Sequence, residues 1–356
     1  MNLFLALLTF LCIHNSSCMD NNPYPIYQPH SHGIIYSPWR EDYDKIVAKA
    51  PHAEQKKSDI SCRLCNALVE NKDDLIVYRG KNNSVMLASQ PYISSGAHLL
   101  IVPHEHTREL KDLSRETYDE ENILTQKICT FFARDYHTIC LNTNQGIAAG
   151  ASVPTHHHKH IIVQTTARTP NLIQAIEQTK TSINLQQLSS DLQRHMKLTD
   201  IKAPLLTQIA LHNFHCYFCS IMKDTAQDQR NLVIHRGKKA SILLSHYPTY
   251  FGQLEIIPHD HYTALETMDK ETYDEINELT IKIYPLLLNI LGTEDSNIGL
   301  NSYGTKAEYK EHIRQRIIPR KQSWVTSPIT QSNHISSDVL TLYKRLLLEW
   351  KKPAKM

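Results

Sequence analysis

Four histidines lie within five residues near the middle of the chain, at the start of the segment His156–Val163. A β-strand projects alternate side chains from opposite faces, so His156, His158 and His160 would share one face. The Ile-Ile-Val run that follows is β-branched and favours a strand. Three adjacent imidazoles indicate a reactive site if the strand forms, but a His-rich tract also fits a metal-binding or solvated patch.

The residues before this segment favour the reactive site. Asn144–Ser152 reads Asn-x-Gly-x-x-Ala-Gly-x-Ser, and Gly146 and Gly150 (the ends of the glycine loop) permit a tight turn and close approach of main chain to a ligand. Followed four residues later by His-x-His-x-His-Ile-Ile, this pattern closely resembles the histidine triad (HIT) family of nucleotidyl hydrolases and transferases. The resemblance covers about 60–165 and, as a weaker copy, 214–320.

The resemblance implies a role for each residue of the motif. His158 would attack the α-phosphorus of a nucleotide and form a nucleotidyl-imidazole intermediate. His160 would contact the phosphoryl oxygens, and Ser152 would donate to the departing oxygen. The Asn144 side chain and the backbone NH groups of the glycine loop are further candidate phosphate donors.

The chain departs from the family pattern in two respects. Family members place Asp or Asn against the ribose, eight residues before a His of the third strand, and counting back from His98 gives Gln90. This glutamine either bonds a ribose hydroxyl or is an ordinary turn residue. His157 and Lys159 occupy positions that are usually apolar, which indicates a strand whose back is less buried than usual or faces another polar group.

The chain contains an internal repeat. Cys62–Cys65 recurs as Cys216–Cys219, and Ile101–His106 recurs as Ile256–His261, at offsets of 154 and 155 residues. So steady an offset predicts duplication of one folded unit. In the first copy, short β-rich runs precede a helical pattern from Ser114, a candidate N-cap, to about residue 136.

This order of elements predicts an α+β fold with antiparallel strands. The family resemblance implies a mostly antiparallel five-stranded sheet with flanking helices in each copy. Because family members pair two such units as a dimer, we expect an intramolecular pseudo-dimer in a monomeric chain. The predicted organisation is a candidate signal peptide (1–18), an extended lead-in (19–57), a catalytic HIT-like domain (58–165), a helical connector (166–211), a degenerate HIT-like domain (212–322) and a tail with an amphipathic helix (323–356).

Two Cys-x-x-Cys pairs at corresponding places in the two copies favour zinc over a disulfide framework. The resemblance, which extends to galactose-1-phosphate uridylyltransferases, supplies the other ligands of one or two closed, structural Zn²⁺ sites. The implied ligands are Cys62, Cys65, His106 and His156 in the first copy, and Cys216, Cys219, His261 and His312 in the second. A redox or disulfide role for these cysteines is the alternative, particularly in an exported protein.

The second copy is predicted to be catalytically silent. Arg314 and Arg316 stand where the first copy has His158 and His160, and an arginine cannot be deprotonated to act as a nucleophile. The two guanidinium groups would either bind a phosphate or form surface ion pairs.

Charge and hydropathy set further bounds. The 38 basic and 36 acidic residues nearly cancel, so nucleic-acid binding is not expected. No apolar stretch of the length that a membrane span needs follows the N-terminal region. The apolar run Leu3–Ile13 predicts a signal for export, for example to a periplasm; the alternative is a non-targeting N-terminus on a cytoplasmic protein.

These features lead to two hypotheses. The first is a HIT-type hydrolase or nucleotidyltransferase that cleaves at the α-phosphate of a nucleoside ester, anhydride or phosphoramidate, with a nucleotide or dinucleotide as substrate. Histidine at position 160 resembles the hydrolytic branches, while the loop spacing also resembles phosphorylases of dinucleoside polyphosphates. The second is a non-catalytic zinc- and anion-binding protein of HIT-like fold.

Overall fold

The computed structural model describes residues 62–70, 76–88, 96–133, 136–164, 185–196, 216–246, 248, 250–304, 311–321 and 337–352. The predicted signal peptide, the lead-in segment and Gln90 lie outside this set. No helix among the described residues combines the length and apolar character that a membrane crossing requires.

The first copy contains two helices and five strands, with a helix of the connector after them. These are α1 (Arg63–Glu70), β1 (Ile76–Arg79), β2 (Asn83–Leu87), β3 (Gly96–Pro103), α2 (Arg115–Phe132), β4 (Thr138–Gln145), β5 (Lys159–Gln164) and α3 (Leu185–Met196). The predicted cap of α2 is confirmed, because the Ser114 side chain accepts a hydrogen bond from the Thr117 amide.

The second copy repeats this order. Its elements are α4 (Tyr217–Lys223), β6 (Val233–Arg236), β7 (Ala240–Leu244), β8 (Leu254–Pro258), α5 (Lys270–Leu291), β9 (Asp295–Tyr303) and β10 (Gln315–Arg320), and α6 (Ser337–Trp350) follows. The amphipathic helix predicted within the tail is confirmed as α6.

The two copies form a single antiparallel sheet of ten strands in the order β1-β2-β3-β5-β4-β9-β10-β8-β7-β6. Each half has the same five-strand arrangement, so the predicted α+β pseudo-dimer is confirmed. The halves meet where β4 and β9 pair antiparallel, from Thr138 opposite Tyr303 to Gln145 opposite Ser296. This junction makes the sheet continuous across the repeat.

One face of the sheet carries the hydrophobic core. α2 presents a stripe of buried residues at helical spacing, including Tyr118, Leu124 and Ile128, and α5 does the same in the second copy. Leu141 and Leu300 are paired across the β4–β9 junction and are both buried, so the core runs without a break from one copy into the other.

The opposite face is less deeply buried at its centre. Along β4 the odd-numbered residues from Ile139 to Gln145 are buried, whereas the even-numbered residues from Thr138 to Asn144 are only half-buried. Since His160 is paired with Asn142, its side chain projects from this second face, which we call the open face.

Close approach of main chains at the junction yields a first test. A Cβ atom on Gly299 would lie 2.3 Å from the carbonyl oxygen of Leu141, so Gly299→Ala should force β4 and β9 apart. We expect a loss of about 1–3 kcal/mol in the free energy of unfolding, measured in urea. Val69→Ala, at a position 84% exposed, is the control and should change it little. An unchanged urea midpoint for Gly299→Ala would contradict the junction geometry.

Candidate active site and metal clusters

Two cysteines and two histidines converge at the N-terminal end of the triad segment. The first Cys/His cluster comprises Cys62, Cys65, His106 and His156, and its ligand atoms all lie within 4.8 Å of one another. The Cys65 Sγ is 3.1 Å from His106 Nδ1 and 3.4 Å from His156 Nδ1. Tetrahedral Zn²⁺ with its usual bond lengths separates sulfur and nitrogen ligands by about 3.6 Å. The donor set and the spacing therefore fit a metal ion.

The orientation of His156 also fits a ligand. Its Nε2 lies 3.0 Å from the carbonyl oxygen of Pro103, which can only accept, so Nε2 carries the proton and the Nδ1 lone pair faces the thiols. Burial lowers the pKa of His156 to about 4, which keeps the ring neutral near pH 7. Metal ligation requires this neutral form.

The second Cys/His cluster has the same donors in the second copy, namely Cys216, Cys219, His261 and His312. Cys219 Sγ lies 3.2 Å from His261 Nδ1 and 3.6 Å from His312 Nδ1. None of the six cysteines in the described part of the chain forms a disulfide. Both predicted ligand sets are thus brought together, and each group can hold a metal ion.

The catalytic candidates His158 and His160 are buried on the open face, with ring centroids 4.8 Å apart. His158 Nδ1 lies 2.9 Å from the carbonyl oxygen of His156, so Nδ1 donates and the lone pair of the ring is on Nε2. His160 Nδ1 is 3.0 Å from His98 Nε2. In the sequence, His98 is marked only as a histidine of the third strand, and nothing there indicates its contact with the triad.

The triad segment departs from the prediction at its start. β5 begins at Lys159, whereas the sequence pattern predicted a strand from His156. The His157 amide instead donates to the carbonyl of Thr107, 2.6 Å away, which ties this segment to the loop after β3. Alternation of side chains survives, because His157 and Lys159 still face the helices.

A buried carboxylate lies behind the triad. Glu121 of α2 is 2.8 Å from His157 Nε2 and 2.6 Å from Lys159 Nζ. The side chains of Glu121 and His157 are fully buried, and that of Lys159 is 14% exposed. Of the two predicted explanations for these unusual residues, contact with another polar group is correct and weaker burial is wrong.

The glycine loop is shaped by the second copy. Gly146 and Gly150 have φ angles of 83° and 79°, which favour glycine, and the loop forms a single 3₁₀ turn between them. Asp295 of β9 accepts a hydrogen bond of 2.7 Å from the Ala148 amide. A Cβ on Gly146 would overlap this carboxylate.

The backbone donors predicted for this loop need correction. The amide of Ala148 is bonded to Asp295, and those of Ala149, Gly150 and Ala151 donate to carbonyls within the loop. These four NH groups are therefore not directed at a phosphate. The turn closes on itself because it is short and lies against β9.

Asn144, by contrast, is held in a donating orientation. Its Oδ1 accepts hydrogen bonds from Asn142 at 2.6 Å and from Asn297 at 2.7 Å, so Nδ2 is the end that can donate to a ligand. Asn297 is fixed in turn by Arg320, whose Nε donates to it over 2.6 Å. Asn297 and Arg320 belong to the second copy and are not part of any motif that could be recognised in the sequence.

The two remaining candidates of the first copy are less informative. Ser152 lies half-buried in the loop before His156 and makes no hydrogen bond with another described residue. Its role as donor to the departing oxygen stays a prediction. Gln90 falls outside the described residues, so its contact with ribose also stays a prediction.

The arginines of the second copy have different environments. Arg314 is buried, 3.0 Å from Glu311 and 3.6 Å from Glu255, and its guanidinium lies over the Phe218 ring. For Arg314 the predicted alternative of ion pairing is correct, although the pairs are buried rather than at the surface. Arg316 is half-buried and makes no hydrogen bond or ion pair with another of the described residues.

Comparison with known proteins shows which proteins the chain is similar to. Residues 69–167 match the family model of the HIT domain. An AP-4-A phosphorylase from Mycobacterium tuberculosis is 30% identical over 95 residues, which cover 26% of this chain and 48% of that protein. The chain thus matches about half the length of this relative.

Solved structures resemble the fold over a larger part of the chain. An ADP-glucose phosphorylase from Arabidopsis thaliana, with bound ADP-glucose, has a TM-score of 0.55 at 16% identity and covers 82% of this chain and 92% of its own. A uridylyltransferase has a TM-score of 0.51 at 14% identity, with coverage of 78% and 87%. The likeness is one of fold, and it covers most of the chain.

The buried Glu121 yields a test of pH-dependent stability. Burial alone would raise its pKa, but the facing charges of Lys159 and His157 lower it to about 2. Because this value is below the unfolded one of about 4.3, Glu121 stabilises the fold above that pH, and the stabilisation is lost as pH falls toward 2. We expect Glu121→Gln to cost about 3 kcal/mol at pH 7 and progressively less from pH 5 to 3.5.

Urea unfolding of both proteins at each pH measures this difference. Glu116→Gln, an identical change at the exposed start of the same helix, is the control and should have little effect at any pH. A Glu121→Gln protein as stable as the wild type at pH 7 would show that the carboxylate does not support the triad strand.

Proposed function

We propose that the chain transfers a nucleotidyl group through His158. The observation that supports this most is the hydrogen bond from His158 Nδ1 to the His156 carbonyl, which leaves the lone pair on Nε2. An imidazole held in this tautomer is a competent nucleophile at neutral pH. The ring lies among the residues that match the HIT domain, on the open face beside His160.

The proposed reaction has two steps. His158 Nε2 forms a bond to the α-phosphorus of a nucleoside phosphate, and the bond from phosphorus to the leaving oxygen breaks. The leaving group departs with a proton donated by Ser152 or by water. An acceptor oxygen then attacks phosphorus, the phosphorus–nitrogen bond breaks, and the imidazole is regenerated. Splitting one displacement into two lowers the barrier of each.

Fixed donors would stabilise the charge that builds on the phosphoryl oxygens. His160, oriented by His98, and the Nδ2 of Asn144, oriented by Asn142 and Asn297, are held by hydrogen bonds before substrate arrives. Donors that need no reorganisation contribute most to catalysis of phosphoryl transfer.

The names of the similar proteins favour an anhydride as substrate. One acts as an AP-4-A phosphorylase, and another was solved with ADP-glucose. Both names describe phosphorolysis, in which inorganic phosphate is the acceptor. We therefore propose a nucleoside anhydride as donor substrate, with inorganic phosphate and water as the acceptors to be compared.

Turnover separates this proposal from the non-catalytic alternative. The wild type and His158→Ala would be incubated with diadenosine tetraphosphate, ADP-glucose and adenosine phosphoramidate, with and without inorganic phosphate. We expect His158→Ala to lower turnover by about a thousandfold or more, because the nucleophile is absent. Acid-quenched wild type should carry a nucleotidyl adduct on His158 by mass spectrometry.

Retention of nucleotide binding without turnover in the wild type would instead favour the non-catalytic anion-binding protein. The matched control is His137→Ala, which changes a histidine outside the triad and should leave turnover close to that of the wild type. Equal turnover by wild type and His158→Ala would overturn the covalent mechanism.

We also propose that both Cys/His clusters bind structural Zn²⁺. When bound, the ion would hold the loop before β5 against α1 and the loop after β3, and it would supply no group to the reaction. We expect two zinc ions per chain, one per cluster, measured by elemental mass spectrometry. Cys65→Ser and Cys219→Ser should each remove about one equivalent, because each deletes one of four ligands.

Cys140→Ser is the control for these variants, since Cys140 is a half-buried thiol outside either cluster. It should leave the zinc content unchanged. A reduced wild type that retains no zinc, or a mass two hydrogens lower for each Cys-x-x-Cys pair, would favour the disulfide alternative.

A further inference from the structure

A row of paired residues crosses the centre of the open face. Arg316 of β10 is opposite Gly299 of β9, Gly299 is opposite Asn142 of β4, and Asn142 is opposite His160 of β5. Residues paired directly across strands project from the same face of a sheet. Arg316 and the triad therefore share one face, although they belong to different copies.

A short ligand can span the distance along this row between Arg316 and His160. Three strand spacings separate β10 from β5, which amounts to about 14 Å between backbones. Gly299 has no side chain, and the side chains of Arg316 and His160 each extend several ångströms. The distance between a guanidinium on β10 and a phosphate at the triad matches the length of a short polyphosphate chain. A single phosphate would not span it.

Arg316 forms no ion pair within 4 Å in the described part of the chain, although the Glu255 carboxylate favours its charge from a greater distance. Its cross-strand neighbour, Glu255, already interacts with Ser245, Gln253 and Arg314. The other groups whose charges or dipoles act on it are Arg314, Tyr303 and Cys140, none of them a carboxylate. Burial accordingly lowers the pKa of Arg316 from its ordinary value.

The environment of Arg316 differs from that of Arg314, the other arginine of the second copy's triad positions. Arg314 occupies the position of His158 and has two carboxylates, Glu255 and Glu311, within 4 Å. A half-buried guanidinium without such a partner costs stability, and an anionic ligand would remove that cost. Of the two arginines, only Arg316 has the environment of a ligand-binding group.

We propose that Arg316 binds a distal phosphate of the substrate whose α-phosphate lies at His158. The active site then spans the junction, with the nucleophile from the first copy and the anion-binding arginine from the second. The substrate class is a nucleoside anhydride with two or more phosphates beyond the nucleoside, such as a nucleoside triphosphate or a dinucleoside polyphosphate. This inference rests on the proposed function for the position of the α-phosphate.

The test measures binding of AMP and ATP by calorimetry to full-length, zinc-loaded protein carrying His158→Ala, so that no turnover occurs. In this background we expect Arg316→Gln to weaken ATP binding by roughly 10- to 100-fold, the value of a charged hydrogen bond, and AMP binding by less than about threefold. Arg316→Lys, which keeps the charge, should retain part of the preference for ATP.

Arg314→Gln is the matched control. It should lower the melting temperature, because it leaves Glu255 and Glu311 without their cation, and it should not change the ratio of ATP to AMP affinity. Arg316→Gln should not lower the melting temperature, since it removes a charge that lacks a partner.

Equal weakening of ATP and AMP by Arg316→Gln, or unchanged ATP binding, would overturn the inference. So would equal affinity for AMP and ATP in the His158→Ala protein that keeps Arg316. Failure of the proposed function is seen separately, as absence of turnover with His158 intact. An ATP preference that depends on Arg316 would still support the anion site in that case.

Discussion

The antiparallel pairing of β4 with β9 is the contact on which the site depends. Eight register pairs join the two copies there, and the hydrophobic core beneath them is continuous. The glycine loop follows β4 directly, and the strand that pairs with β4 supplies Asp295 and Asn297 to hold that loop and Asn144. A first copy alone would lack these contacts, so the second copy completes the candidate site even though its own triad is replaced.

The triad segment is braced from two sides by buried polar groups. At its start, His156 points into the first Cys/His cluster, and its backbone carbonyl orients His158. At its back, Glu121 binds His157 and Lys159 inside the core. Buried ions are costly unless paired, and here each has its partner within hydrogen-bond distance. The position of the His158 ring is therefore fixed from both faces of the strand.

Much of this arrangement could be predicted from the sequence. The Cys-x-x-Cys pairs and the repeated α+β unit recur at a fixed offset, so both were predictable from spacing. The histidine ligands of the two clusters came instead from the resemblance to the HIT family, and the silence of the second triad stays a prediction. Side-chain alternation likewise predicted that His157 and Lys159 point away from the triad, although it could not identify Glu121 as their partner.

Features that depend on pairing between distant segments could not be predicted in this way. The β4–β9 register joins residues more than 150 positions apart, and nothing local marks Asp295 or Asn297 as neighbours of the glycine loop. The predicted start of β5 was wrong for a related reason. The His157 amide donates its hydrogen bond to a loop carbonyl rather than to a neighbouring strand. Tertiary hydrogen bonds overrode the local pattern.

The divergence of the two copies follows from what each position must do on a shared sheet. His312 and its three partners keep the geometry of a metal cluster, and His312 immediately precedes the segment that carries Arg314, Arg316 and Arg320 into β10. Arg320 orients Asn297, which orients Asn144 in the first copy. Loss of the second Cys/His cluster would therefore disturb the triad site, because β10 and β9 connect the two. Loss of a histidine nucleophile from the second copy would not have this effect. Arginine can occupy the two histidine positions there because the neighbouring carboxylates, Glu255 and Glu311, neutralise Arg314, the more deeply buried of the two arginines.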